Sequence, residues 1–199
     1  MRELVFLLEE ASAKAMLEGL VPRLLDDRIQ VRLITFEGKQ DLEKQLPLRL
    51  RGYLNPHARF LVLRDQDSAP DCKLVKHRLM RLCESAGRGA VSLVRIACRE
   101  LETIYLADLK ATESALGISG LAKQQSTSKF RQPDRLESPS RELSRMTSGK
   151  YQKVGSSRLI GPFLEIANER SATFKNLVSG IRRLESELRA RSISASVSG

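Results

Sequence analysis

The stretch 60-FLVLRDQDSAP-70 ends an apolar run on two aspartates, Asp65 and Asp67, with only Gln66 between them. With the residues before it, "ARFLVLR" (58–64) is continuous enough for a strand in the middle of a sheet, covered on both faces. Like charges at the end of such a strand repel one another and resist ionisation unless something neutralises them. A turn explains them without chemistry. A divalent cation explains them with it.

Outward from that strand, short apolar runs alternate with helical patterns. "ELVFLL" (3–8) reads as a strand, followed by a helix over Ser12 to Leu25. "IQVRLITF" (29–36) alternates with a period of two, as a half-exposed strand does. A helix follows from Lys39 to Leu50, with Pro47 marking a kink or break. "KLVKHRLMRLC" (73–83) has helical apolar spacing, "GRGAVSLVRIA" (87–97) is a turn and a fourth strand, and "RELETIYLADL" (99–109) reads as a helix. This alternation predicts βαβ units: an α/β fold with a mostly parallel sheet of about four strands and helices on both faces.

Functional residues of such sheets gather at the carboxyl ends of the strands. Glu9 and Glu10 follow the first strand, Asp65 and Asp67 end the third, and Glu100 and Glu102 follow the fourth. Single acidic residues in these loops are common because Asp caps helices. Three pairs on one edge ask for more.

After residue 110 the pattern loosens. Residues 119–158 are rich in Ser, Lys, Arg and Gln, with one short helix expected near Ser140 to Arg145. From Ser171, read as an N-cap, the residues Phe174, Leu177, Val178, Ile181, Leu184 and Leu188 form an apolar stripe that packs on the domain. The expected division is a core over 1–118, a basic, partly irregular helical extension over 119–190, and a disordered tail over 191–199.

Charge follows the same division. Residues 1–120 hold 19 Lys/Arg against 17 Asp/Glu, whereas residues 121–199 hold 15 against 7. Most of the net charge of +10 therefore lies in the last 79 residues, which favours a polyanion such as nucleic acid. No apolar run reaches the roughly 20 residues of a membrane helix, and no signal-peptide pattern opens the chain. A cytoplasmic protein with no membrane association is expected. Cys72, Cys83 and Cys98 lack a CxxC pair and read as reduced. His57 and His77 lie apart, which disfavours a His/Cys zinc site, so a bound metal would be held by oxygen.

Carboxylates one residue apart suit Mg²⁺, or Mn²⁺ in its place, which takes two or three carboxylates plus substrate phosphate. Alone, D-x-D also occurs in aspartyl-phosphate phosphatases and metal-dependent glycosyltransferases. The phosphatase pattern wants the motif on the first strand, not the third. No GxxxxGK[ST] loop is present, which argues against an ATPase. Neither Ser12 nor Cys98 has a nearby histidine to activate it.

A glutamate after the first strand with D-x-D after the third resembles the Toprim fold (Rossmann-like) of topoisomerases, primases and several nucleases. "ELVFLLEEASAKAMLEGLVPRLL", "FLVLRDQDSA", "RELETIYLAD" and "YQKVGSSRLIGP" together resemble a Toprim-like bacterial family catalogued as a domain of unknown function (4276). Some of its members sit beside ATPase genes in phage-defence settings. The resemblance spans about residues 3–185 and implies a Mg²⁺-dependent nuclease. Glu9, Asp65 and Asp67 would hold the metal, with Glu9 as ligand or general acid/base and Glu100 assisting. Glu10, Glu102 and Asp108 are secondary candidates, and Glu10 stands where the Toprim pattern E-G-x-[ST] has glycine. Lys150, Lys153 and Arg158 would contact phosphates.

Eight residues of helix rise about 12 Å, too far for Glu100 and Asp108 to share one ion. Asp108 therefore reads as structural, bonded to backbone or to a basic residue. Glu102 is as well explained as a solvated or salt-bridged helix-surface charge. Two rival functions remain: a binding or regulatory module docking on an ATPase partner, and a phosphohydrolase of small phosphorylated substrates.

Overall fold

The computed structural model describes residues 2–196 and holds the four expected strands, β1 (Glu3–Leu8), β2 (Gln30–Thr35), β3 (Arg59–Asp65) and β4 (Ser92–Ala97). All pair in parallel, in the order β2-β1-β3-β4. The central strands β1 and β3 are buried along their whole length, which is why their sequences run apolar without alternation. Edge strand β2 is the one that alternates.

Helix α1 (Ala11–Leu20) is shorter than expected: Pro22 tightens the chain into a 3-10 turn over Val21–Arg23. Helix α2 (Lys39–Arg51) runs through Pro47 without breaking. Its Leu42, Leu46 and Leu50 form a buried row against the sheet, and that docking outweighs the lost hydrogen bond. Helix α3 (Cys72–Ser85) starts at an Asp71 cap whose carboxylate accepts the Lys73 N–H.

The single helix expected over 99–109 is absent. In its place stand one short turn, α4 (Thr103–Leu106), and a separate helix, α5 (Leu109–Leu116), which Asp108 caps by accepting the Ala111 N–H. Beyond them lie α6 (Pro139–Met146), α7 (Lys153–Ile160) and the long α8 (Ala172–Ser196). Ser171 caps α8 as expected, its hydroxyl accepting the Phe174 N–H at 3.1 Å. Of the tail expected to be disordered, residues 191–196 belong to the backbone of α8, and residues 197–199 lie outside the described residues.

Two apolar clusters sandwich the sheet. One joins α2 and α3 to Val5, Leu7, Phe60 and Val62. The other joins Leu4, Phe6, Leu8, Leu61 and Leu63 to α1 and to the C-terminal segments, through Leu121, Phe130, Leu143, Ile160, Phe174 and Ile181. The basic half of the chain thus supplies much of one layer of the core. Close approach of α1 and α7 depends on two glycines. A Cβ on Gly161 would collide with the Met16 carbonyl, and one on Gly19 would lie 2.5 Å from Pro162. This contact sets Lys153, at the start of α7, above the carboxyl end of β1.

Candidate metal and phosphodiester site

The chain steps from β1 outward to β2, then crosses back to β3, so the strand order reverses between β1 and β3. Crevices for ligands open at such a switch point, outside the carboxyl ends of the strands. Glu9 and Asp65 flank it. Glu9 Oε2 accepts the Asp65 N–H at 2.9 Å, and Asp65 Oδ2 accepts the Leu101 N–H at 3.2 Å. Both carboxylates are buried.

Their burial has electrostatic consequences. Burial pushes Asp65 well above the usual carboxylate range, and the nearby charges of Glu10, Glu102 and Glu9 add to the shift. Burial also raises Glu9, against the opposing hydrogen bond from Asp65. Arg64 is the cation nearest Glu9, 3.9 Å away, but its guanidinium is chiefly engaged by Glu43.

Glu102 is not the solvated helix-surface charge that the rival reading describes. It is fully buried, because the chain there turns inward ahead of α4. Its Oε1 accepts the Tyr151 hydroxyl at 2.8 Å, while its Oε2 has no hydrogen-bond partner. Burial raises its pKa, partly offset by the Tyr151 bond. The Tyr105 ring, fully buried, is tilted against that of Tyr151 with 6.3 Å between centroids.

Glu10 takes Lys153 Nζ at 2.7 Å and the Ser12 hydroxyl at 3.0 Å. Its backbone is extended at φ −150°, so this position does not need the freedom of a glycine. Burial acts to lower Lys153, but the Glu10 bond and the charges of Glu102 and Asp65 hold it net above the ordinary lysine value.

Asp67 stands further out. Its backbone is left-handed at φ 54°, its N–H is given to the Arg99 carbonyl at 2.8 Å, and its Oδ2 meets Lys39 Nζ at 3.2 Å. Gly38, at φ 90° and bonded to the Glu9 carbonyl, gives the turn that starts α2 and brings Lys39 there.

The other predicted residues are dispersed. Glu100 Oε2 accepts the Ser140 N–H at 2.7 Å and so secures the start of α6, although the residue also lines the cavity beside Asp67. Asp108 is structural: it caps α5 and accepts the Glu165 N–H at 2.8 Å. Lys150 is exposed, and Arg158 lies 3.7 Å from Glu18 on α1. Only Lys153 of the three basic candidates joins the carboxylates.

A hard cation needs oxygen donors that converge. The donor chemistry fits: Glu9, Asp65 and Glu102 are buried carboxylates at one sheet edge with raised proton affinities, Asp67 lies beside them, and one buried oxygen of Glu102 is unpartnered. Convergence is incomplete, since no group of three or more His, Cys, Asp or Glu among the described residues is placed to hold an ion. Glu9, Asp65 and Asp67 each spend one oxygen on a protein donor.

With this geometry in view, the comparisons define first the fold and then the family. The structure superposes on the C-terminal region of the Burkholderia pseudomallei OLD protein with a TM-score of 0.53 at 16% identity, covering 90% of this chain and 97% of that one. The fold is the α/β, Toprim-like arrangement. The family model described as Domain of unknown function (DUF4276) matches residues 8–182, and the chain belongs to that family. No curated protein matches the sequence. No helix among the described residues is long and apolar enough to cross a membrane.

Proposed function

We propose that this protein is a Mg²⁺- or Mn²⁺-dependent phosphodiester-cleaving protein, a nuclease, whose metal is held by Glu9, Asp65 and Asp67. The observation that carries this is the burial of Glu9 and Asp65 side by side at the switch point, with their proton affinities raised. Carboxylates are kept in so unfavourable a place where a cation repays the cost. A divalent cation supplies polarisation of a phosphoryl oxygen and stabilisation of the leaving oxygen.

The chain's own residues do the remainder. For Asp67 to join Asp65 at a cation it must leave Lys39, and Lys39 is then released to meet negative charge. Glu9, whose proton affinity burial raises above the ordinary glutamate value, serves as ligand or as general acid/base. Lys153 steadies a phosphate over Asp65, with Lys150 and Arg158 meeting the strand further along. Glu102, with its unpartnered oxygen, assists beside Asp65, and Glu100 assists from the cavity side. The basic C-terminal half attracts nucleic acid, and an ATPase protein partner in an anti-phage setting follows from the family resemblance. Cleavage of DNA and RNA with Mg²⁺ or Mn²⁺ tests this. Activity that survives Asp65→Ala combined with Asp67→Ala removes the assignment.

A second reading has its own support. Asp67, Glu10 and Glu100 already have protein partners, as a site retired from catalysis would. The chain is then a non-catalytic module that docks on an ATPase. Co-purification with that partner, without cleavage by the isolated chain, favours it.

A further inference from the structure

Beside Asp67 lies a cavity of about 510 Å³ lined by Lys39, Asp67, Ser68, Arg99, Glu100 and Glu137. Arg99 is its unusual member. Its backbone is left-handed at φ 62°, a region that costs a non-glycine residue energy and that clusters at functional sites. Two hydrogen bonds hold it there: its carbonyl accepts the Asp67 N–H at 2.8 Å, and its N–H reaches Gln66 Oε1 at 3.3 Å. Two adjacent loops, after β3 and after β4, are thereby clipped together, both in the left-handed region at the clip.

The strain does not serve an internal ion pair. The Arg99 guanidinium makes no hydrogen bond or salt bridge among the described residues, although Glu100 and Glu137 line the same cavity. Glu100 gives one oxygen to the Ser140 N–H instead. Lys39 stands across the cavity, tied to Asp67 and half exposed. A planar fork of donors, an ammonium and the Ser68 hydroxyl in one cavity match the oxygens of a phosphate.

We propose that Arg99, with Lys39 and Ser68, forms a second phosphate subsite that grips the nucleic-acid backbone beside the phosphate cleaved. It rests on the nuclease reading above and adds the path of the strand. Lys153 pairs with Glu10 and feels the charges of Glu102 and Asp65, whereas Lys39 pairs with Asp67 and shares a cavity with it and Arg99. The strand therefore passes from Lys153 over the aspartates to Arg99. A backbone phosphate is favoured over a free monoester because the edge carries two separate cationic positions, Lys153 paired with Glu10 and the Lys39–Arg99 cavity beside Asp67.

The test is fluorescence anisotropy of the full chain with a labelled single-stranded and a labelled duplex oligonucleotide, in EDTA and in Ca²⁺, across a salt series. Arg99→Gln is expected to weaken binding about 5- to 20-fold. It should also flatten the plot of log K against log salt by about 0.7 for the single strand or 0.9 for the duplex, the loss of one phosphate contact. Arg99→Gly should show the same loss with thermal stability kept, since glycine adopts this backbone without strain. Arg81→Gln, on the exposed side of α3, should leave the slope unchanged. If the wild type binds but Arg99→Gln matches it in affinity and slope, the subsite is refuted and the nuclease reading stands. If a mononucleotide competes as well as the oligonucleotide, the strand path is refuted. If the wild type does not bind either oligonucleotide, both readings fall.

Discussion

Glu9 Oε2 accepts the backbone N–H of Asp65 at 2.9 Å, joining the first and third strands where the order of the sheet reverses. The bond fixes two buried carboxyl groups side by side and leaves Asp65 facing the charges of Glu10 and Glu102 as well. The fold holds this arrangement at a cost in stability, and the cost can be measured.

Asp65→Asn should stabilise the metal-free protein. The amide keeps an acceptor for the Leu101 N–H but removes a buried charge beside three like charges. A gain of about 1–3 kcal/mol at pH 7 is expected, the scale for an unsatisfied buried group. At roughly 2–4 °C per kcal/mol for a domain of this size, thermal unfolding in EDTA resolves it. A loss of stability would show that Asp65 is well compensated by its neighbours.

The pH dependence has a definite sign. Asp65, Glu9 and Glu102 all bind protons more tightly folded than unfolded. Their contribution is therefore fully present below the unfolded carboxyl range, near pH 4, and is lost as pH rises through the raised folded values. Urea midpoints of the wild type and Asp65→Asn should nearly coincide at pH 4 and diverge towards pH 8, with the wild type falling. Parallel curves would contradict the assignment of the raised group.

The glycines of the α7 segment should behave oppositely. Gly161→Ala drives a methyl into the Met16 carbonyl, and overpacking of this kind costs about 1–3 kcal/mol. It should also displace Lys153 and lower activity. Gly155→Ala meets nothing within 4 Å in the same segment and should stabilise by about 0.5–1 kcal/mol. Thermal melts of the two variants give the comparison, and equal effects would remove the link between the α1–α7 contact and the position of Lys153.

Tyr151→Phe tests the environment of Glu102. Without the phenol, Glu102 loses its one side-chain donor in a fully buried setting. Stability should fall by about 1–3 kcal/mol at pH 7, and by less as the pH is lowered and the raised carboxyl takes up its proton. A loss independent of pH would mean that packing of the ring, not the hydrogen bond, is what matters.

How much of this is legible in the sequence follows from where each signal resides. The unbroken apolar runs of β1 and β3 and the alternation of β2 are local patterns, and each strand lies where its pattern predicts. Asp65 and Glu9 are legible because parallel pairing sends every strand's carboxyl end to one edge. The single helix over 99–109 fails because Asp108, as an N-cap, looks in one dimension like a polar residue on an amphipathic helix. Pro47 does not break α2 because the docking of Leu42, Leu46 and Leu50 is a tertiary effect. Lys39 and Arg99 carry no sequence signal at all. Lys39 reaches the site through the turn at Gly38, and Arg99 through a left-handed backbone that no residue type announces. Tyr151 lies within the "YQKVGSSR" motif, but its hydroxyl bond to Glu102 depends on how α6 and α7 fold back.

The proposed metal site requires Glu9, Asp65 and Asp67 to bind one cation together. An anomalous difference map from crystals soaked in Mn²⁺ tests it directly. A peak within bonding distance of Glu9, Asp65 and Asp67, with Asp67 turned from Lys39, is the predicted result. A map with no peak at this edge, or with Mn²⁺ bound only elsewhere, would contradict the account.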